Sequence, residues 1–170
     1  MADLTIRACD PERRSLVRLR VPMADAARVA ATMRLPTEPM RWSGSDPAAL
    51  WIGPDQWLLI GKQLPVDEIV SLCRARLGGI LHAATDLSDA LACFLVEGPG
   101  ARSLLAMGSG VDFHPSVFGP GQCVRTRIAK LAVVVRVVED EHFEVFVDRS
   151  ASRYLHDCLN RNARDATLRA

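Results

Sequence analysis

The sequence predicts an α+β fold with mostly antiparallel sheets and packed helices. Two observations carry this. Strand and helix patterns follow one another as β-α-β-β-α-β-β-α-β-β-β-α, and many neighbouring strands are joined by connections too short for the helical crossover that parallel pairing requires. A length of 170 residues, 49% of them hydrophobic and 24% charged, suits one soluble domain over 1–170, or two small lobes over about 1–80 and 81–165. A chain of this size buries a core without disulfide or metal staples.

The elements follow in order. Ser15-Leu-Val-Arg-Leu-Arg-Val21 alternates, with Leu16 and Arg18 facing one way and Val17, Leu19 and Val21 the other, so it reads as a half-buried strand. Pro22 ends it and suits the first position of an Ala-rich helix over Met23–Met33, which Pro36 closes. Three prolines, Gly44 and two serines between Leu35 and Pro47 predict a loop. The apolar runs 49–52 and 57–60 flank Gly53-Pro54-Asp55-Gln56, a composition that bends a chain into a hairpin. Pro65, Asp67 and Glu68 open a helix whose apolar positions Val66, Ile69, Val70, Cys73 and Leu77 recur at helical spacing, and Gly78-Gly79 stops it. Strand pattern runs from Ile80 to Val96, and its part from Ala90 is apolar on both faces, as in a strand covered on both sides. Gly98-Pro99-Gly100 starts a short helix through Leu104 and Leu105. Residues 108–122, with four Gly, two Pro and no period, form a long connection. Strands follow near 123–128, 131–138 and 142–147. A last helix opens at Ser150 with Ala151, Tyr154, Leu155, Cys158 and Leu159 on one stripe, and the tail after Asn160 is expected to fray. No period of about 20–50 residues repeats.

Charge and composition exclude several classes. A formal charge of +1 supplies no field for general nucleic-acid or anionic-membrane binding. The longest apolar run, Ala90–Val96, is far short of the roughly 20 residues that cross a bilayer. The first residues lack a basic start and an apolar signal core, so the expected home is cytoplasmic, and 19 Arg to two Lys suggest the base composition of a bacterial genome. Five cysteines without a C-x-x-C predict small buried hydrophobes in a reducing compartment rather than a disulfide framework or a zinc site.

The search for chemistry yields little. Gly98-Pro-Gly100, Gly108-Ser-Gly110 and Gly119-Pro-Gly121 lack the third glycine of a dinucleotide loop, and no G-K-[S/T] follows any of them. His82, His114, His142 and His156 are not spaced to share a metal. Asp112 and His114 read as a capped turn at the surface, the acid/base pair being the alternative. Asp86 and Asp89 are candidate paired carboxylates or an Asx turn. Ser103 and Ser109 lack a nucleophile elbow, and nothing beside Cys123 would activate its thiol. Trp42, Trp51 and Trp57 fall within sixteen residues, a set that stacks on a flat ligand, anchors a protein interface or fills a core.

The stretch Thr85-Asp-Leu-Ser-Asp-Ala-Leu-Ala-Cys-Phe-Leu-Val-Glu-Gly-Pro-Gly-Ala-Arg-Ser-Leu-Leu105 resembles a "D-x-S … V-x-G-P-x-A … L-L" block of the folate-binding superfamily that includes glycine-cleavage aminomethyltransferase. Leu50-Trp-Ile-Gly-Pro-Asp-Gln-Trp-Leu-Leu59, Gly110-Val-Asp-Phe-His-Pro-Ser-Val-Phe118 with Gly121-Gln-Cys-Val-Arg-Thr126, and Phe146-Val-Asp-Arg-Ser-Ala-Ser-Arg-Tyr-Leu155 resemble, in order, the gamma subunit of heterotetrameric sarcosine oxidase. The resemblance implies an aminomethyltransferase-like fold and an accessory subunit of a complex that oxidatively demethylates sarcosine to glycine. FAD, FMN, NAD and tetrahydrofolate are implied for the complex, held by alpha, beta and delta partners. Aminomethyltransferases carry a catalytic aspartate where Ile128–Arg136 here has no acid, so this chain is expected to be structural.

Two alternatives accompany that reading. One is the equivalent subunit of a complex for another N-methyl amino acid. The other is a free-standing folate-binding protein, with Trp57 or Phe94 stacking on a pteridine and Arg102 or Arg125 holding carboxylates. For an assembly subunit, Trp42, Trp51, Phe113 and Phe118 are the expected exposed aromatic patch.

Overall fold

The structure, a computed structural model, describes residues 4–10 and 14–167. The chain runs β1 (Thr5–Ala8), β2 (Ser15–Arg20), α1 (Ala26–Met33), β3 (Trp42–Ser43), β4 (Ala48–Gly53), β5 (Gln56–Gly61) and α2 (Val66–Leu77). It continues through β6 (Ala83–Asp86), β7 (Leu91–Glu97), α3 (Ala101–Ala106), β8 (Cys123–Ile128), β9 (Leu131–Glu139), β10 (His142–Asp148) and α4 (Ser152–Thr167). The class is α+β with two antiparallel sheets, as the sequence predicts.

Two compact units divide between Asp89 and Ala90. The division expected near residue 80 moves because β6 pairs with β2, Val17 lying opposite Asp86. The first strand also changes sides, since β1 pairs with β7 of the C-terminal unit.

In the N-terminal unit the strand order is β3-β4-β5-β2-β6. The period-2 pattern of β2 puts Val17 and Leu19 on one face, where register sets them opposite Leu59 and Trp57. Against that face pack Val29 and Ala30 of α1 and Ile69, Cys73 and Leu77 of α2, all buried in one cluster. Each fully buried Leu or Val contributes on the order of 1.5–3 kcal/mol, so this face alone accounts for much of the unit's cohesion.

In the C-terminal unit the order is β1-β7-β10-β9-β8, with α4 packed on α3, β1 and β10. Val145 sits between Phe94 and Val135, and Cys93 and Phe94 are both buried on opposite faces of β7, as expected for a covered strand. The apolar sheet holds one charged pair: Arg136 on β9 stands opposite Glu144 on β10, and its Nε donates to the carboxylate. Both side chains are about 2% exposed, so each neutralises a charge the other would leave stranded.

The two units share one plan. β2-α1-β3-β4-β5-α2 and β7-α3-β8-β9-β10-α4 have the same element sequence, and their sheets the same spatial order, with an edge strand beside β2 or β7 supplied by β6 in one and β1 in the other. The sequence reading passes over β1, β3 and this duplication. It also expects fraying after Asn160, whereas α4 runs on to Thr167, its buried Leu159 holding the helix down and Asn160 Nδ2 donating to the His156 carbonyl at 2.9 Å.

Burial pushes the Cys73 thiol up to about 11. The folded chain therefore holds that proton more tightly than the unfolded chain, and stability falls as pH rises from about 9 to about 11. Denaturant melts should show the wild type losing about 2 kcal/mol more than Cys73→Ala across that interval; equal losses would contradict the assignment.

Candidate functional site

Arg102, in the first turn of α3, is a buried and heavily engaged polar side chain of the C-terminal unit. It is 7% exposed. Its Nη1 donates to the carbonyls of Phe113 and Phe118 at 2.7 and 2.6 Å, and its Nη2 to Asp140 Oδ1 at 2.7 Å. Its Nε lies 3.3 Å from Glu141 Oε1, and the guanidinium sits 5.1 Å from the Phe143 ring centroid. One planar cation thus ties the glycine-rich connection 108–122 to the β9–β10 turn. Asp140 is mostly exposed, so the two backbone carbonyls supply the buried share of this energy.

That clamp moves Phe113 and Phe118 out of the expected surface patch. They are 2% and 0% exposed and meet edge to face at 5.4 Å, with Phe113 also edge-on to Phe143. The connection looks polar by composition, but its two aromatics are core.

The folate candidates are mostly buried. Trp57 is 1% exposed, and its Nε1 donates to the Pro36 carbonyl at 2.8 Å. Phe94 is buried and stacked on His156 at 5.5 Å, while the Arg102 Nη1 and Nη2 groups donate to Phe113, Phe118 and Asp140 as described. Arg125 alone of the four is exposed. Three of these four side chains are therefore buried. Trp42 and Trp51 are half-buried on β3 and β4, and Trp51 lies opposite Trp57 in the hairpin register.

The acid candidates resolve as turns. Ser88 N–H donates to Asp86 Oδ1 at 2.9 Å, and Ser88 Oγ accepts from Leu16 N–H at 3.0 Å, so the D-x-S block closes the end of β6 onto β2. His114 N–H donates to Asp112 Oδ1 at 2.8 Å, and the exposed imidazole meets Ser116 Oγ at 2.7 Å. Cys123 is buried. Over Ile128–Arg136 the chain forms the end of β8, a tight turn with Ala129 and Lys130 at φ 51° and 70°, and β9. Its charged groups are Lys130 at the turn and Arg136, which is neutralised by Glu144. No group of His, Cys, Asp and Glu among the described residues could hold a metal ion, and no described helix is long and apolar enough to cross a membrane.

Surface clefts among the described residues include these two. One, about 500 Å³, follows a polar face of α4 past His156, Asp157 and Arg161. The other, about 520 Å³, lies in the N-terminal unit, where Val21, Pro22, Met23 and Leu81 adjoin the Arg20–Asp55 ion pair. Met23 and Leu81 are 60% and 77% exposed. The exposed apolar surface thus lies where the sequence reading did not place it; Leu81 directly after Gly78-Gly79-Ile80 is the signal that could have found it.

Replacing Arg102 by Met removes the cation and leaves two buried carbonyls unpaired. We expect a loss of about 3 kcal/mol in denaturant melts, with faster hydrogen exchange across 108–122. Unchanged stability and exchange would show that the clamp holds nothing.

Residues 20–165 match the sarcosine oxidase, gamma subunit family. The chain is 32% identical over 91 residues to sarcosine oxidase subunit gamma of Corynebacterium sp. strain U-96, covering 54% of this chain and 43% of that one. It is 31% identical over 88 residues to the same subunit of Corynebacterium sp. strain P-1, covering 52% and 42%. The aligned stretch is thus about half of this chain and less than half of each relative. In structure, the chain is similar to a chain of the heterotetrameric sarcosine oxidase from Corynebacterium sp. U-96 in complex with pyrrole 2-carboxylate, with TM-score 0.83, 24% identity and coverage of 95% and 84%. It is also similar to glycine cleavage system aminomethyltransferase T from Bartonella henselae, with TM-score 0.65, 14% identity and coverage of 91% and 45%. These two likenesses concern the fold, and both match the expected aminomethyltransferase-like architecture. With the family match running through both units, the chain belongs to the sarcosine oxidase gamma subunit family.

Proposed function

We propose that this chain is the accessory gamma subunit of a heterotetrameric sarcosine oxidase, docking on larger flavoprotein subunits and contributing no catalytic group. The observation that carries the reading is the family match over residues 20–165. The structure supports it by the way polar side chains are used: Arg102, Arg136, Glu144, Asp86 and Asp112 all hold backbone or one another. A catalytic group needs a free face toward substrate, and these have spent theirs on the fold.

On this reading the complex is cytoplasmic and oxidatively demethylates sarcosine to glycine. Its FAD, FMN, NAD and tetrahydrofolate are held by the alpha, beta and delta partners, which also set the choice of N-methyl amino acid. The docking surface includes Met23 and Leu81, since exposed apolar groups on a folded subunit mark where a partner removes water. Each supplies on the order of 1–2 kcal/mol when covered.

Co-expression of the four subunits, followed by size-exclusion chromatography, tests this. Leu81→Asp should lower recovery of the chain with its partners at least tenfold while leaving its own melting temperature unchanged. Full recovery of the variant would remove Leu81 from the interface. Saturating tetrahydrofolate should not shift the melting temperature of the isolated chain; a rise that grows with concentration would make it a folate-binding protein instead.

A further inference from the structure

We infer that Cys9 and Cys93 form an oxidisable dithiol whose disulfide would staple the edge strand β1 to its sheet. β1 is the outermost strand of the C-terminal sheet and pairs with β7 from Thr5 opposite Glu97 to Ala8 opposite Phe94. The next pair in that register is Cys9 and Cys93. Cys9 N–H donates to the Cys93 carbonyl at 2.8 Å, and Cys9 Sγ approaches Cys93 Sγ to 3.0 Å. Directly opposed residues of a hydrogen-bonded antiparallel pair have Cα atoms about 5.5 Å apart, within the roughly 4.4–6.8 Å that a disulfide spans. The bridge therefore needs rotation about the side chains and no movement of the strands.

The two thiols differ in access, which sets the order of events. Cys9 is half-exposed, whereas Cys93 is buried beneath the strand pair. A peroxide reaches Cys9 first: its thiolate attacks one peroxide oxygen, the O–O bond breaks, and Cys9 becomes a sulfenic acid as hydroxide leaves. The Cys93 thiolate then attacks the Cys9 sulfur, the S–O bond breaks, and a second hydroxide departs. Two thiols and one hydrogen peroxide give one disulfide and two waters, the sulfurs losing two electrons that the peroxide gains. The other thiols are placed differently: Cys73 and Cys123 are buried, and Cys158 is hydrogen-bonded with Tyr154. β1 gains most from a covalent tie, because three of its four residues are exposed and the bridge closes a loop across 84 positions.

The test is to treat the full chain with a small excess of hydrogen peroxide, quench, alkylate in denaturant and map peptides without reduction. We expect a linked peptide pair carrying Cys9 and Cys93, reversed by dithiothreitol. The melting temperature should rise by at least about 5 °C on oxidation, a rise absent in Cys9→Ser, whose half-exposed site tolerates the change. Sulfinic acid at Cys9 without a bridge, a bridge to another cysteine, or an unchanged melting temperature on bridging would each overturn the inference.

Discussion

Arg102 sets the constraint on which the C-terminal unit depends. A guanidinium in an apolar interior is tolerable only when its donors find acceptors, and here two of those acceptors are the carbonyls of Phe113 and Phe118. The same bonds that satisfy the cation drive both rings into the core against Phe143. A segment with four glycines and two prolines, which by itself has no reason to hold one shape, acquires one from a single side chain on α3. The remaining Arg102 contacts, to Asp140 and Glu141, bring the β9–β10 turn into the same arrangement.

The functional reading follows from what this arrangement uses up. In this chain the arginine faces carbonyls, the β9 arginine faces Glu144, and the acids at 86 and 112 each accept an amide two residues on. The large apolar side chains exposed at the surface are Met23 and Leu81 in the N-terminal unit and Met107, Val117 and Tyr154 in the C-terminal one. Side chains of that kind exclude water from a contact.

Much of the fold is legible in the sequence, wherever a local signal has a physical cause strong enough to decide the conformation. The Gly-Pro-Asp-Gln turn specifies the β4–β5 hairpin, and the spacing of Ile69, Cys73 and Leu77 specifies α2, because each pattern states both a shape and a buried face. β1 and β3 escape for the opposite reason. Four residues, three of them exposed, and two residues inside a proline-rich loop, are strands only because a neighbour offers its hydrogen bonds. The repeated plan of the two units is likewise invisible to a search for short periods, since strand order survives where residue identity does not.

The site was less legible still. Phe113 and Phe118 look exposed when read beside glycine and proline, and nothing in their spacing reveals that Arg102, eleven and sixteen positions away, will bury them. Trp57 looks free to stack on a ligand until the Pro36 carbonyl takes its N–H. The absence of an acid over Ile128–Arg136 was readable directly, because charge is a property of composition rather than of packing.

The most direct measurement is affinity capture of the tagged chain from its native host, followed by native mass determination and a visible absorbance spectrum of the eluate. The account predicts one stoichiometric assembly with three unlike subunits and a flavin spectrum that bleaches when added sarcosine reduces the flavin. A colourless monomer or homodimer would contradict it.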